Sequence, residues 1–298
     1  AKRASRPRAE PRMPTATLDF DALTPRAWTL PSGVQLHTVR AGQGQPLIFI
    51  HGAMGDWRSW APQWPAFTAR FDCISYSRRY SHPNHNTMAS PDHSALHEAQ
   101  DLLDLMDAMG LAQAVLVGSS YGGFTALALA LQAPERVTAV VAVEPPMMKY
   151  AARSASGQAA ALAFREQVIE PANAAFRRGE DTLAAQIMTG GINGTRDAVN
   201  QGPAMARRLQ NLRAMKMLAL SSDEFPWLAP QALAALPMPV LLLAGQQTQP
   251  VHRAIFENLC AAMPQAEHAW VEGSGHGVSR EQPELFNQRV LSFLTPRP

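Results

Sequence analysis

Short, unbroken apolar runs alternate with segments of helical periodicity, and this alternation restricts the fold more than any other property of the chain. A run such as "PLIFIHG" (46–52), "AVLVGSS" (114–120) or "PVLLLAG" (239–245) has no polar residue on either side of a would-be strand. Both faces of such a strand must be covered, which calls for a parallel sheet between layers of helices. "DCISYS" (72–77), "VTAVVAVEPP" (137–146) and "HAWVEGSG" (268–275) read the same way. "VQLHTVR" (34–40) instead alternates with period two and pairs with "AWTL" before it as an edge hairpin. Helical spacing fills 95–110, 121–135 and 283–294. The expected architecture is α/β, a mainly parallel eight-stranded sheet flanked by helices.

The strand signals stop between Pro146 and Pro237. The Ala-, Arg- and Met-rich stretch 147–237 is predicted to be a helical cap inserted in a core made of 15–146 and 238–298. Residues 1–14, "AKRASRPRAEPRMP", carry three prolines and five cations against one acid, and read as a disordered basic tail. The formal charge of +2 is therefore local: without the tail, 21 basic and 23 acidic residues remain. No basic face is left to neutralise phosphates, so no nucleic-acid partner is expected. No run approaches the length of a membrane span. The chain opens at Ala1, which is read as a sign of processing; a cytoplasmic and an exported protein both stay open. Cys73 and Cys260 are expected to be free thiols.

"VGSSYGG" (117–123) places Ser120 in a Gly-x-Ser-x-Gly pattern, after a strand and before an Ala/Leu-rich helix. That context asks for a sharp strand-to-helix turn that lifts the Ser120 hydroxyl above the sheet edge and aims the first helical N–H groups at whatever it attacks. Ser120 is the candidate nucleophile.

Here the chain resembles the α/β-hydrolase fold family, from about Trp28 to Leu294. "HGAMGDW" (51–57) is similar to the family's His-Gly turn. That resemblance implies an oxyanion hole made by the backbone N–H groups of Ala53 and Tyr121, with His51 structural. "GSGHGVSREQPE" (273–284) is similar to the segment carrying the family's catalytic histidine, which implies His276 as the base. The family usually places the acid after the strand equivalent to 239–245, and this position falls on Thr248. Three readings stay open: a degenerate member, a Ser–His pair, or a relocated acid. Glu144 closes the next strand after the nucleophile strand, as in pancreatic lipases and zearalenone-lactonase-like members whose acid follows the sixth strand. It is expected to reach the imidazole from the side opposite the usual one. The alternative is that Glu144 merely pairs at the start of the cap, with Asp223 and Glu224 as outlying candidates.

Met147, Met148, Met188, Met205, Met215, Met217, Phe164, Phe176, Phe225 and Trp227 crowd the inserted stretch. Most read as packing residues, and those facing the sheet would line an apolar pocket. "TGGINGT" (189–195) is expected to be a flexible break between cap helices. Arg78 and Arg79 are expected to pair with loop carboxylates rather than with an anionic substrate. His82, His85, His93 and His97 lack a metal-ligand pattern, and neither metal nor cofactor is expected. The resemblance implies a serine hydrolase of a small-molecule ester or lactone, mostly apolar. A cofactor-independent dioxygenase or C–C lyase on the same scaffold, or a ligand-binding member with vestigial catalysis, are the alternatives. Oligomeric state is not legible.

Overall fold

The computed structural model describes residues 20–88, 90–194 and 201–295. The tail 1–14 lies outside them. Eight strands form one sheet: β1 (Arg26–Thr29), β2 (Gln35–Ala41), β3 (Pro46–Ile50), β4 (Asp72–Tyr76), β5 (Ala114–Ser119), β6 (Val137–Val143), β7 (Val240–Gly245) and β8 (Glu267–Val271). Their order is β1-β2-β4-β3-β5-β6-β7-β8. β2 runs antiparallel to both its neighbours, and every other pairing is parallel. The period-two segment is thus the antiparallel hairpin, and the unbroken apolar runs are the parallel strands, as the burial argument requires.

Successive side chains of a strand point to opposite faces, and the two cores sort by parity. Ile48, Ile50, Leu116, Val140 and Leu242 pack on one face, under α2 (Ala95–Ala108), α3 (Tyr121–Gln132) and the helix Pro250–Ala262. Leu47, Phe49, Val117, Val141 and Leu243 pack on the other, under α1 (Trp64–Thr68) and the helix Pro283–Leu294. Phe49 anchors this second core, with ring centroids 4.8 Å from Trp60 and 5.2 Å from Phe67. Each such fully buried ring contributes about 1.5–3 kcal/mol of transfer free energy.

Between β6 and β7 the described elements are all helical. They include α4 (Ala155–Phe164), a π-helical turn at Arg165–Ile169, α5 (Glu170–Arg177) and α6 (Asp181–Asn193), then helices at Gly202–Gln210, Leu212–Leu220 and Pro230–Ala234. The expected break at 189–194 is not one. α6 runs through Gly190 and Gly191 to Asn193 and ends on Gly194 at φ +78°. The glycines serve close packing: a Cβ on Gly191 would sit 2.3 Å from a Val168 methyl. Thr195 lies outside the described residues.

Met188, Met205 and Met215 form a separate apolar cluster with Ala172 and Ala185, and Met54 of the His-Gly turn packs against it. Met147 joins the core beneath α3 instead, and Trp227 lies on Tyr150 with nearly half its surface exposed. Cys73 and Cys260 are free thiols. Among the described residues no helix is long and apolar enough to cross a membrane.

Candidate active site

β5 and β6 are neighbours, with Ser119 opposite Val143. Ser120 and Glu144 are the next residues on each strand, and both leave the sheet with positive φ, +51° and +40°. No other described non-glycine residue does so. Such backbone costs on the order of 1–3 kcal/mol per residue and is found where function over-determines it. Both turns are pinned by the adjacent strand: Ser120 N–H donates to Val143 O at 2.7 Å, and Glu144 N–H to Leu243 O at 2.9 Å. Ser120 is followed at once by α3, and the Tyr121 N–H, first in that helix, has no hydrogen-bond partner among the described residues. The Ala53 N–H has none either. The His-Gly turn lies against the Ser120 turn: a Cβ on Gly52 would be 3.5 Å from Ser120 Cβ.

Glu144 is buried and its carboxylate meets three donors. His276 Nδ1 lies 2.6 Å from Oε2, the Thr248 hydroxyl donates to the same oxygen at 2.8 Å, and Gly245 N–H donates to Oε1 at 2.8 Å. A carboxylate can only accept, so His276 carries its proton on Nδ1 and leaves Nε2 as a base. The geometry corrects one expectation. β6 lies between β5 and β7, so Glu144 does not approach from an opposite flank. Its side chain crosses the roughly 4.8 Å strand spacing and ends in the turn after β7, the seat in which Thr248 stands. No hydrogen bond joins Ser120 Oγ to His276 among the described residues. Such contacts are often open without substrate and close in the Michaelis complex.

His51 is structural in its contacts. Its Nε2 accepts from Arg78 N–H at 3.0 Å, so its Nδ1–H donates to Gly52 O at 2.8 Å. Arg78 and Arg79 pair with Glu98 and Asp101, at 2.9 and 2.6 Å. Those carboxylates sit on α2, not on a loop as expected. The Arg78 guanidinium lies 3.7 Å over the Tyr121 ring, whose hydroxyl donates to Glu224. His93 Nε2 stands 3.2 Å from Glu98 and 3.7 Å from Glu224. This buried cluster clamps Tyr121, the residue after Ser120, between α2 and the helical segment. Glu224 is therefore far from an acid role at His276, and Asp223 pairs with Lys149 at the surface. The donor atoms of His93, Glu98 and Glu224 do converge, which the scattered histidines had not indicated, but Arg78 already holds Glu98. Glu98 was findable. It falls on the apolar stripe Ala95, Ala99, Leu102 of α2, where an acid needs a buried partner.

Burial, helped by Arg78, pushes the His51 pKa down to about 4. Burial alone would raise Glu98, but Arg78 and His93 outweigh it and bring it to about 2. For His51 the unfolded chain takes up a proton below pH 6.5 and the folded chain does so only near pH 4. Its contribution, on the order of 3 kcal/mol, is present above pH 6.5 and lost between pH 6.5 and 4. The Glu98 contribution is lost further down, from pH 4.5 toward 2. The midpoint of urea unfolding should accordingly fall steadily from pH 7 to pH 4. A His51→Asn variant should show a weaker fall, and an unchanged slope would remove His51 from the account.

Outside the expected set stands His252. It is buried on the helix Pro250–Ala262, stacked on His276 with ring centroids 4.3 Å apart and 28° between planes. Phe164 of α4 also packs against it, T-shaped, with ring centroids 5.8 Å apart. Beyond Phe164 opens a cavity of about 620 Å³, bounded by α4, α6 and residues 249–251, with Phe164, Val168, Ile187 and Gln249 in its wall. None of the described residues that line it is charged. Ser120 and His276 do not line it; the ring contacts Phe164–His252–His276 run from its wall to His276.

The profile of the alpha/beta hydrolase fold matches residues 45–283. The chain belongs to the alpha/beta hydrolase fold family. It is 27% identical to carboxylesterase YbfK of Bacillus subtilis over 87% of this chain and 83% of that one. It is 29% identical to a protein named putative carbamate hydrolase RutD in Caulobacter sp., over 88% and 94%. The crystal structure of the carboxylesterase CesB (YbfK) superposes with a TM-score of 0.70 at 24% identity, covering 93% of this chain and 94% of that one. Est816, described as an N-acyl homoserine lactone degrading enzyme, superposes with 0.69 at 20% identity, covering 88% and 98%.

Proposed function

We propose that this member of the alpha/beta hydrolase fold family is a serine hydrolase of carboxylic esters or lactones with a mostly apolar substrate, working through a Ser120–His276–Glu144 triad. The observation that carries the reading is the 2.6 Å contact between His276 Nδ1 and a buried glutamate, one strand from a serine on a positive-φ turn. The names of the sequence relatives, a carboxylesterase and a putative carbamate hydrolase, support an acyl carbon bound to a heteroatom as the point of attack.

His276 Nε2 removes the Ser120 proton as Oγ adds to the substrate carbonyl carbon. The oxyanion forms against the N–H groups of Ala53 and Tyr121, a pair whose individual donors are worth about 10²–10³ in rate. Glu144 stabilises the imidazolium and keeps its tautomer. As the tetrahedral species collapses, His276 returns the proton to the leaving alkoxide. Water then gives a proton to His276 as its oxygen adds to the acyl carbon, and collapse of this second tetrahedral species breaks the bond to Ser120 Oγ, which takes the proton back from His276 as the acid leaves. The helical segment 147–237 acts as the cap over the substrate.

The test pairs two measurements on the intact protein. A fluorophosphonate should label Ser120 and no residue of a Ser120→Ala variant, and p-nitrophenyl esters of graded chain length should release acid. No labelling together with no acid release would end the reading; oxygen uptake on a heteroaromatic substrate in their place would favour the non-hydrolytic alternative.

A further inference from the structure

His252 lies on the apolar stripe of its helix, with Ile255, Phe256 and Leu259, yet it is the one member of that stripe with polar ring atoms. Its Nε2 is buried without a hydrogen-bond partner. An orphaned polar atom in an apolar wall is costly, and a leucine there would avoid the cost. The ring therefore needs a reason beyond packing, and its position supplies one. One face covers His276, and Phe164 packs against the same ring in a T-shaped arrangement.

A hydrogen bond from Nδ1 to Glu144 fixes one point of the His276 ring. It leaves the ring free to swing about that point, which carries Nε2 off the line toward Ser120. A flat partner 4.3 Å away at 28° removes that freedom. It also supplies an aromatic face to the imidazolium that forms during proton transfer, an attraction that desolvation strengthens. A second cation there would cancel the benefit. Burial, and then the neighbouring His276, hold the His252 pKa well below its usual value, so the ring stays uncharged.

We propose that His252 is a positioning residue whose imidazole face keeps the His276 ring from swinging about its hydrogen bond to Glu144. This rests on the triad reading above. It also gives the cavity a route to the chemistry, since a group filling the space beside Phe164 would press on the same ring series.

The test compares His252→Phe, which keeps a flat face, with His252→Leu, which keeps volume and loses it. Steady-state ester hydrolysis and the low-field proton resonance of His276 Nδ1–H are read on both, with thermal melts to show that each folds. His252→Phe should keep kcat within about threefold of the parent and retain the resonance. His252→Leu should lower kcat about 10- to 30-fold at little-changed KM, a fraction of the 10² that an ångström of misplacement costs, and broaden the resonance. Leucine with the parent's kcat and resonance would overturn the proposal, and so would phenylalanine as damaging as leucine. Should the leucine variant not fold, the phenylalanine variant decides by the same criterion. Should the parent neither hydrolyse esters nor take up a fluorophosphonate, the triad reading fails, while the resonance still reports whether His252 orders His276.

Discussion

Glu144→Gln should lower kcat at pH 7 by about 10³–10⁴ with KM little changed, the scale set by replacing a triad acid with its amide. The reason is the proton inventory at His276. The carboxylate accepts from His276 Nδ1, from the Thr248 hydroxyl and from Gly245 N–H. An amide offers one accepting oxygen and two donors. If its NH₂ turns toward the imidazole, Nδ1 must accept, the proton moves to Nε2, and His276 can no longer take one from Ser120. If its oxygen turns there, the NH₂ meets Gly245 N–H, a donor against a donor, and no charge balances the imidazolium. The structure also offers a repair. Thr248 Oγ1 already lies 2.8 Å from the oxygen that holds His276. The double variant Glu144→Gln/Thr248→Asp should regain at least about tenfold over the single, because a carboxylate returns to the same seat from the adjoining turn. Steady-state kinetics on one ester would decide both. A Glu144→Gln enzyme within a few-fold of the parent would remove Glu144 from the triad.

Gly122→Ala should destabilise the fold by more than about 3 kcal/mol, or leave no soluble protein, which is beyond the usual cost of one inserted methyl group. Gly122 sits in the first turn of α3, directly over the end of β3. A Cβ there would lie 2.0 Å from Ile50 O and 2.9 Å from His51 O. Those carbonyls belong to the central sheet and to the turn that carries Ala53, so neither can retreat without moving the site. Any protein that does fold should melt at least about 5 °C lower and lose most of its reactivity toward fluorophosphonate, since Ser120 directly precedes α3. Gly52→Ala is the matched control for space: its Cβ would meet Ser119 O and Ser120 Cβ at 3.5 Å, ordinary contact. Equal melting temperatures for the two variants would refute the packing account.

Legibility followed the range of the interactions involved. The parallel sheet, its antiparallel edge hairpin and the turn at Ser120 are local consequences of residue order. An apolar run needs cover on both faces, a period-two run needs it on one, and a Gly-x-Ser-x-Gly after a strand can only turn sharply. Glu144 was legible as an anomaly, an acid ending an unbroken apolar strand. The seat it fills was not, because nothing local says that a glutamate on β6 reaches past its own strand end to Thr248. The glycines of 189–194 misled for the same reason. Their pattern reads as a break, and only Val168, about twenty residues earlier, shows that they admit a close contact inside a helix.

Side chains at short range thus settled what kind of scaffold this chain builds and where the turn at Ser120 falls on it. Which partner each buried polar group found was decided by contacts across long stretches of chain: Arg78 with Glu98, Tyr121 with Glu224, His252 with His276, Glu144 with Thr248. Hydrophobic periodicity is written residue by residue, whereas the low-dielectric meeting of charges and rings exists only once the layers have closed over them.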